Sequence, residues 1–362
     1  MTEHATQGLQ IELRQAGPIA LDLTLDCAPG EIVALVGPSG AGKTTVLRAI
    51  AGLVQVSHGH IRSDSEVWLD TATGLHLAPH LRSIGMVFQA YALHSHLSGR
   101  GNVELALSAL PRAKRHQQAN EWLQRLGVAE LGDRHLSQLS GGQQQRIAIA
   151  RALAREPRLL LLDEPLSAVD GPLRQAFARE LTEICRRQRL AVLWVTHDLD
   201  EAARVADRIG LMDQGRMLQF AKPDEVLHRP SSLAAARAVG IDNLLPAKVV
   251  GRAQGGVVLA VGTLHTTVPL LAELEHDQVV TLCVPSHGWL LRPDSADLEP
   301  NWVHATLTER WTTRSQDRGR LQLGDGTTVV VQLDGASGQR PLGTQLQVQL
   351  APGEWHAVVE TN

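Results

Sequence analysis

The stretch Gly37-Pro38-Ser39-Gly40-Ala41-Gly42-Lys43-Thr44 fits the pattern GxxxxGK[ST] and follows directly on the apolar run Ile32 to Val36. The residues after it, Thr45 to Ile50, read as the start of a helix, so the order strand, loop, helix that the pattern needs is present. Few features restrict a chain so far. Glycines let successive backbone N–H groups turn toward an anion, and the helix N-terminus adds partial positive charge. Lys43 is then expected to reach the β- and γ-phosphates of a nucleotide, and the Thr44 hydroxyl to ligate Mg²⁺. A glycine-rich turn matched by chance is the bland alternative, and the flanking strand and helix argue against it.

A second apolar run, Leu159 to Leu162, ends in Asp163-Glu164-Pro165. Such a strand delivers Asp163 to the sheet edge beside the loop, where it can hold the metal, and leaves Glu164 facing an attacking water as general base. One carboxylate after a strand is commonly just a solvated end; two, in a chain with this loop, favour the functional reading. Leu139-Ser140-Gly141-Gly142-Gln143 opens a further helix, with Ser140 a good N-cap type and glycines that permit close approach of an anion. One nucleotide cannot readily use both this helix end and the first loop of the same chain. Val195-Thr196-His197-Asp198 closes another apolar run and makes His197 a candidate γ-phosphate contact, although a lone histidine at a strand end is more often structural.

Apolar runs alternating with helical patterns, such as Gln143 to Arg155 and Leu173 to Arg187, predict an α/β fold with helices on a mostly parallel sheet. Near residue 240 the pattern changes to short extended runs, among them 256–261, 279–284, 320–323, 327–333 and 344–350, with a hairpin signal at Gly324-Asp325-Gly326. This predicts an all-β second domain, a small barrel or pair of barrels, with a hinge around Gly240 to Pro246.

Charge excludes one class of partner. Residues 1–243 carry 26 basic and 26 acidic side chains, so the net charge of −4 falls on 244–362, with 8 basic against 12 acidic. A barrel that bound oligonucleotides would need a basic groove with stacking aromatics. Three cysteines, Cys27, Cys185 and Cys283, are odd in number and widely spaced, which fits a reducing compartment better than a disulfide framework. The polar stretch Met1 to Gln10 carries no apolar signal core, and no run reaches the roughly 18–20 apolar residues of a membrane span.

The ordered set of Gly37 to Thr44, Gln89 in Val87-Phe88-Gln89, Leu139 to Gln143, Leu162 to Pro165, Ser167-Ala168-Val169-Asp170 and His197 resembles the ATP-binding subunit of ABC transporters over roughly residues 9–240. The resemblance implies a P-loop ATPase domain at 1–240 with a helical subdomain at about 90–155. A transport-associated, OB-like β-barrel with a regulatory or dimerising part would follow at 241–362. It implies that two chains sandwich two ATP molecules, with Mg²⁺ as cofactor. ATP would lie against Gly37, Pro38, Ser39, Gly40, Ala41, Gly42, Lys43, Thr44, Thr45 and Gln89 of one chain and Ser140, Gly141, Gly142 and Gln143 of the other. Thr44, Gln89 and Asp163 would attend the metal, Glu164 and His197 the hydrolysis, and Ser167, Ala168 and Asp170 the coupling between the two sites.

The pieces 82–89 and 97–103 and the phrases at 240–246 and 290–293 look most like importer subunits for molybdate, sulfate, ferric iron or polyamines. The partners implied are a second copy, transmembrane permease subunits and, indirectly, a periplasmic or extracellular solute-binding protein, with no nucleic acid. The location implied is peripheral, on the cytoplasmic face of the plasma membrane. The chain departs from the family in having no aromatic or histidine between Leu9 and Gly30 to stack on adenine, which leaves Ile19 or Arg14 for that task. His94-Ser95 and Gly101 are likewise unusual in the membrane-facing stretch, and the His94 and His96 pair is expected to be a polar surface loop rather than a metal site. A soluble ABC-type ATPase of nucleic-acid repair or translation is the alternative, and it lacks the expected coiled-coil insertion or tandem second half. A GTPase is disfavoured because no Asn-Lys-x-Asp motif occurs.

Overall fold

Continuous apolar runs become strands covered on both faces: Ile32–Val36, Leu159–Asp163 and Ala191–Thr196 are buried at every position. The computed structural model describes residues 8–17, 19–253, 256–269, 274–294, 299, 301–313, 316–334 and 340–359. Most of the polar start, 1–7, lies outside the described residues. Five strands pair in parallel, in the order Arg208–Asp213, Ile32–Val36, Ala191–Thr196, Leu159–Asp163, Ile84–Val87. Alternate side chains serve two cores. Leu160, Leu162, Val192 and Trp194 pack with Phe177 and Leu181 of the helix Gly171–Arg187. Leu159, Leu161, Leu193 and Val195 pack with Val46, Leu47 and Ile50 of the helix Lys43–Ile50. Because the strands run in parallel, the loops holding Gly37–Thr44, His197, Glu164 and Gln89 leave one edge of the sheet side by side.

Outside this half the only parallel pairing among the described residues is a single position where Arg216–Ala221, itself antiparallel to Arg208–Asp213, meets Leu21–Cys27. The sheet has 11 strands, and beyond Arg216–Ala221 come Leu21–Cys27, Leu9–Gln15, His58–Ser63, Glu66–Asp70 and Leu75–His76, each antiparallel to the one before from Leu21–Cys27 onward. The first two of these alternate buried Leu or Ile with exposed polar residues, the pattern of strands with one covered face. The halves join through a single register pair, Arg216 with Asp22, beside a hydrogen bond from Asp22 N to Gly215 O of 2.8 Å. Between the edge strand and Leu159–Asp163 the chain forms the helices Gly99–Ala106, Arg112–Arg125 and Gly141–Ala154, which share a core of Val103, Trp122, Leu123 and Ile147.

The chain divides into two compact units between Pro223 and Asp224 rather than at 240. The short helices Pro223–His228 and Leu233–Val239 precede the β region, and Ala236 packs with Cys283 and Val358. Nor is 240–246 a hinge. A strand begins at Asn243 and pairs with Val279–Val284, and buried Asn243 donates through Nδ2 to Val284 O (2.9 Å) and Val330 O (2.8 Å) while accepting from Val330 N (2.6 Å). The all-β region is two five-stranded antiparallel sheets around one core, in which Leu259 and Leu282 of one sheet meet Leu307 and Val348 of the other. The strands Asp317–Leu323 and Thr328–Leu333 flank the turn at Gly324–Thr327 as a hairpin. All three cysteines are buried and free; burial pushes the Cys27 and Cys185 thiols up to about 12.

Candidate functional site

The loop 37–42 is closed by its own lysine. Lys43 Nζ, buried at the first turn of its helix, donates to Gly37 O (2.6 Å) and Pro38 O (2.8 Å). Burial lowers the ammonium's pKa, and the Glu164 and Asp163 carboxylates oppose that shift. Gly42 caps the helix with φ 93°, a conformation that costs any other residue strain, and at Gly37 a side chain would run into Met212 O. Thr44 Oγ1 donates to Asp163 Oδ1 at 3.1 Å. Burial raises the Asp163 carboxyl pKa against the lowering effect of that hydrogen bond.

Glu164 follows in the left-handed region, φ 49°, with its N–H donating to Val195 O at 3.0 Å. Ser167 returns to it, Oγ donating to Glu164 O at 2.9 Å. This turn aims the carboxylate between two neighbouring strand ends. Gln89 Nε2 donates to Oε2 at 3.3 Å, and His197 Nδ1 lies 3.1 Å from Oε1. Three residues scattered over more than a hundred positions of sequence are thus brought together. The Gln89 amide oxygen carries no hydrogen bond among the described residues. With Thr44 and Asp163 it makes a set of hard oxygen donors, the type that Mg²⁺ takes along with phosphate oxygens. These residues fit that ion.

Ser140 and Gln143 form a reciprocal cap: Ser140 N donates to Gln143 Oε1 (2.9 Å), and Gln143 N to Ser140 Oγ (3.4 Å). Among the described residues no hydrogen bond joins 140–143 to 37–45. Instead Gly141 and Gly142 lie against the 167–170 turn; a Cβ at Gly141 would sit 3.1 Å from Ala168 Cβ. Gln145 Nε2 donates to Pro165 O, which fastens the same helix to the Glu164 turn. Asp170 stands at the N-cap of Gly171–Arg187 without a side-chain cap bond.

Near the loop, Ile19 is half exposed, and its Cγ2 comes within 3.9 Å of a Cβ built on Gly42; Arg14 instead pairs with Glu12 and Asp22 on the strand surface. Of the two residues weighed for the adenine, Ile19 is the one beside the nucleotide loop. His94 and His96 meet edge to face at 5.7 Å, and the described residues hold no group of three or more His, Cys, Asp or Glu able to bind a metal. The loop 94–98 is pinned by buried Asn102, which accepts from His94 N and donates to His94 O and Ser98 O.

Two residues given no site role from the sequence support the site. Arg151 donates to Tyr91 O (2.9 Å) and Ala92 O (2.7 Å), holding two positive-φ residues just after Gln89. Arg82 is fully enclosed and donates to Leu77 O, Trp68 O, Ala49 O and Ile50 O, the last two at the C-terminus of the loop's helix. Basic residues in apolar segments are the signal that could have found them.

Residues 21–167 match the family model described as ABC transporter. A putative 2-aminoethylphosphonate import ATP-binding protein of Salmonella paratyphi A is 43% identical over 233 residues, 63% of this chain and 61% of that protein. An Fe(3+) ions import ATP-binding protein of Agrobacterium fabrum is 42% identical over 246 residues, 67% of this chain and 68% of that one. The chain therefore spans less than two thirds of the phosphonate relative and just over two thirds of the iron relative. Among solved structures, the dimeric post-hydrolysis state of the ATP-binding cassette MJ0796 with ADP and Pi superposes with a TM-score of 0.53 at 30% identity, covering 59% of this chain and 98% of that one.

Proposed function

The chain belongs to the family of ABC transporter import ATP-binding proteins, and from that membership we propose that it is the ATP-hydrolysing subunit of an importer. The observation that carries the chemistry is the Glu164 carboxylate held between Gln89 and His197, one residue beyond the Asp163–Thr44 hydrogen bond. Residues 37–45 bind the triphosphate: the loop's N–H groups and Lys43, released from the Gly37 and Pro38 carbonyls, take its oxygens as partners. Thr44, Asp163 and Gln89 would hold Mg²⁺, which would supply neutralisation of the triphosphate's charge. Glu164 accepts a proton from the water that attacks the γ-phosphorus as the bond to ADP breaks, and His197 orients that carboxylate and the γ-phosphate.

Two copies act together. The end of the helix at Ser140–Gln143 satisfies itself and makes no bond to its own loop, which supports its service to the nucleotide of a partner chain. Its contact with Ser167–Asp170, and the bond of Ser167 to Glu164, supports the coupling role of that turn. The relative MJ0796 is itself described as dimeric with ADP and Pi. Permease subunits dock on the stretch Gln89 to Asn102, at the cytoplasmic face of the membrane, and a solute-binding protein outside delivers the cargo. Among the described residues no helix is long and apolar enough to cross a membrane. The relatives are named for ferric iron, one of the solutes read from the sequence, and for a phosphonate, which is outside that list; both support a small solute. Both are import proteins, which leaves the nucleic-acid alternative without support.

The test is ATP turnover of the full chain with and without Glu164→Gln. The substitution lowers turnover by about 10²–10⁴-fold while ATP binding persists. Near-normal hydrolysis by the variant overturns the role given to Glu164.

A further inference from the structure

Between the helices Gly171–Arg187 and Leu199–Val205 lies a cleft of about 750 Å³, within the range of small-molecule sites and lined by none of the residues 37–45 of the nucleotide loop. Its floor is apolar, from Leu166, Ala178 and Val205, all nearly inaccessible to solvent. Its rim is cationic: Arg174, Arg179, Arg186, Arg187 and Arg204 line it. Three carboxylates also face it, and each is already engaged. Glu183 pairs with Arg187, Asp198 accepts from Glu201 N at 3.0 Å, and Glu201 accepts from Trp194 Nε1 at 2.8 Å. Arg186 is held by Asp207 at 3.1 Å, and Arg174 donates to Val169 O. Arg179 and Arg204, by contrast, have no hydrogen-bond or ion-pair partner among the described residues.

We propose that this cleft is a second ligand site, separate from the nucleotide loop, and that it takes a small organic anion: a phosphate monoester whose apolar body lies on the floor and whose phosphate is clamped by Arg179 and Arg204. The planar guanidinium fork matches phosphate oxygens two at a time, and two forks without protein partners lose no existing bond when they turn to such a ligand. The floor supplies what inorganic phosphate cannot use, a desolvated apolar surface. The ligand would bear on two segments at once. Leu166 begins the turn that carries Ser167 to Asp170, and Asp198 adjoins His197. Occupancy therefore changes turnover rather than nucleotide affinity; that consequence rests on the ATPase reading, whereas binding itself does not.

The probe is 1-naphthyl phosphate, titrated by its fluorescence into the full chain saturated with ADP and Mg²⁺ so that the nucleotide loop is filled. It binds, and inorganic phosphate and 1-naphthol each bind at least about tenfold more weakly. Arg179→Ala/Arg204→Ala weakens the probe at least about tenfold, while Arg112→Ala/Lys114→Ala, which removes the same charge from an exposed helix elsewhere, leaves affinity unchanged. All four side chains are exposed, and thermal melts check that each variant folds. Equal binding by the cleft variant, equal loss in the surface control, or 1-naphthol binding as tightly as its phosphate overturns the site. ATP turnover that ignores a bound probe overturns the coupling alone.

Discussion

Arg82 shows how a residue with no assigned role in the nucleotide site braces the helix that follows its loop. The residue is 2% exposed, and its guanidinium meets four backbone carbonyls, at Leu77, Trp68, Ala49 and Ile50. Burial lowers its pKa to about 10, which still leaves it charged at neutral pH. Two of the four acceptors have other partners, since Trp68 O also receives Leu77 N and Ala49 O receives Gly52 N. Ile50 O and Leu77 O have none besides Arg82 among the described residues. Arg82→Met fills most of the space and deletes every side-chain donor, so the buried Ile50 carbonyl is left unsatisfied while the partly buried Leu77 carbonyl can turn to water, a loss of about 1–3 kcal/mol in unfolding free energy. Arg82→Ala adds a cavity beside Trp68 and costs more than Arg82→Met. Urea unfolding of the full chain, followed by tryptophan fluorescence and far-UV dichroism, measures both. An Arg82→Met protein within about 1 kcal/mol of the parent refutes the argument that carbonyl satisfaction, rather than bulk, is what Arg82 supplies.

Asp163→Asn should stabilise the nucleotide-free protein, because a carboxyl whose folded pKa is raised contributes stability at acid pH that is lost as pH rises through that pKa. The gain in melting temperature over the parent should thus be larger at pH 8 than at pH 4, and a pH-independent difference would count against the burial argument. Asn243→Ala removes three hydrogen bonds, two of which, to Val330, tie the two sheets of the second unit, and should lower that unit's unfolding free energy by about 2–4 kcal/mol. Hydrogen exchange at Val330 N–H reports it directly, and unchanged protection there contradicts the assignment.

The parallel strands were legible because a run such as Leu159 to Leu162, apolar at every position, has few uses other than a strand covered on both sides. The antiparallel half carries its own signal, the alternation of Leu9, Ile11 and Leu13 with polar residues, yet a reading tuned to alternating strands and helices passes over it. Gln89, Glu164 and His197 could each be picked out by motif. Their meeting could not, since it depends on Ile84–Val87, Leu159–Asp163 and Ala191–Thr196 being neighbours in the sheet, and adjacency in space is not written in any one of them. The unit boundary was misplaced because Gly240 and Pro246 look like linker residues, while the bonds of Asn243 to Val284 and Val330 are made by segments 41 and 87 positions away.

The lone rung between Arg216 and Asp22 gives the large sheet a seam. Peeling Ile32–Val36 from Ala191–Thr196 breaks a ladder of five pairs, and peeling Leu9–Gln15 from Leu21–Cys27 breaks one of seven. Fewer backbone rungs therefore resist parting at this stitch, where the Arg208 bonds to Asp26 and the shared core of Leu21, Leu23, Leu35 and Leu193 hold the halves instead. Gly215 at its margin lies within 3.5 Å of a Cβ built on Gly42, and Ile19 within 3.9 Å of it, so this sparsely bonded line of the sheet runs past the mouth of the phosphate loop.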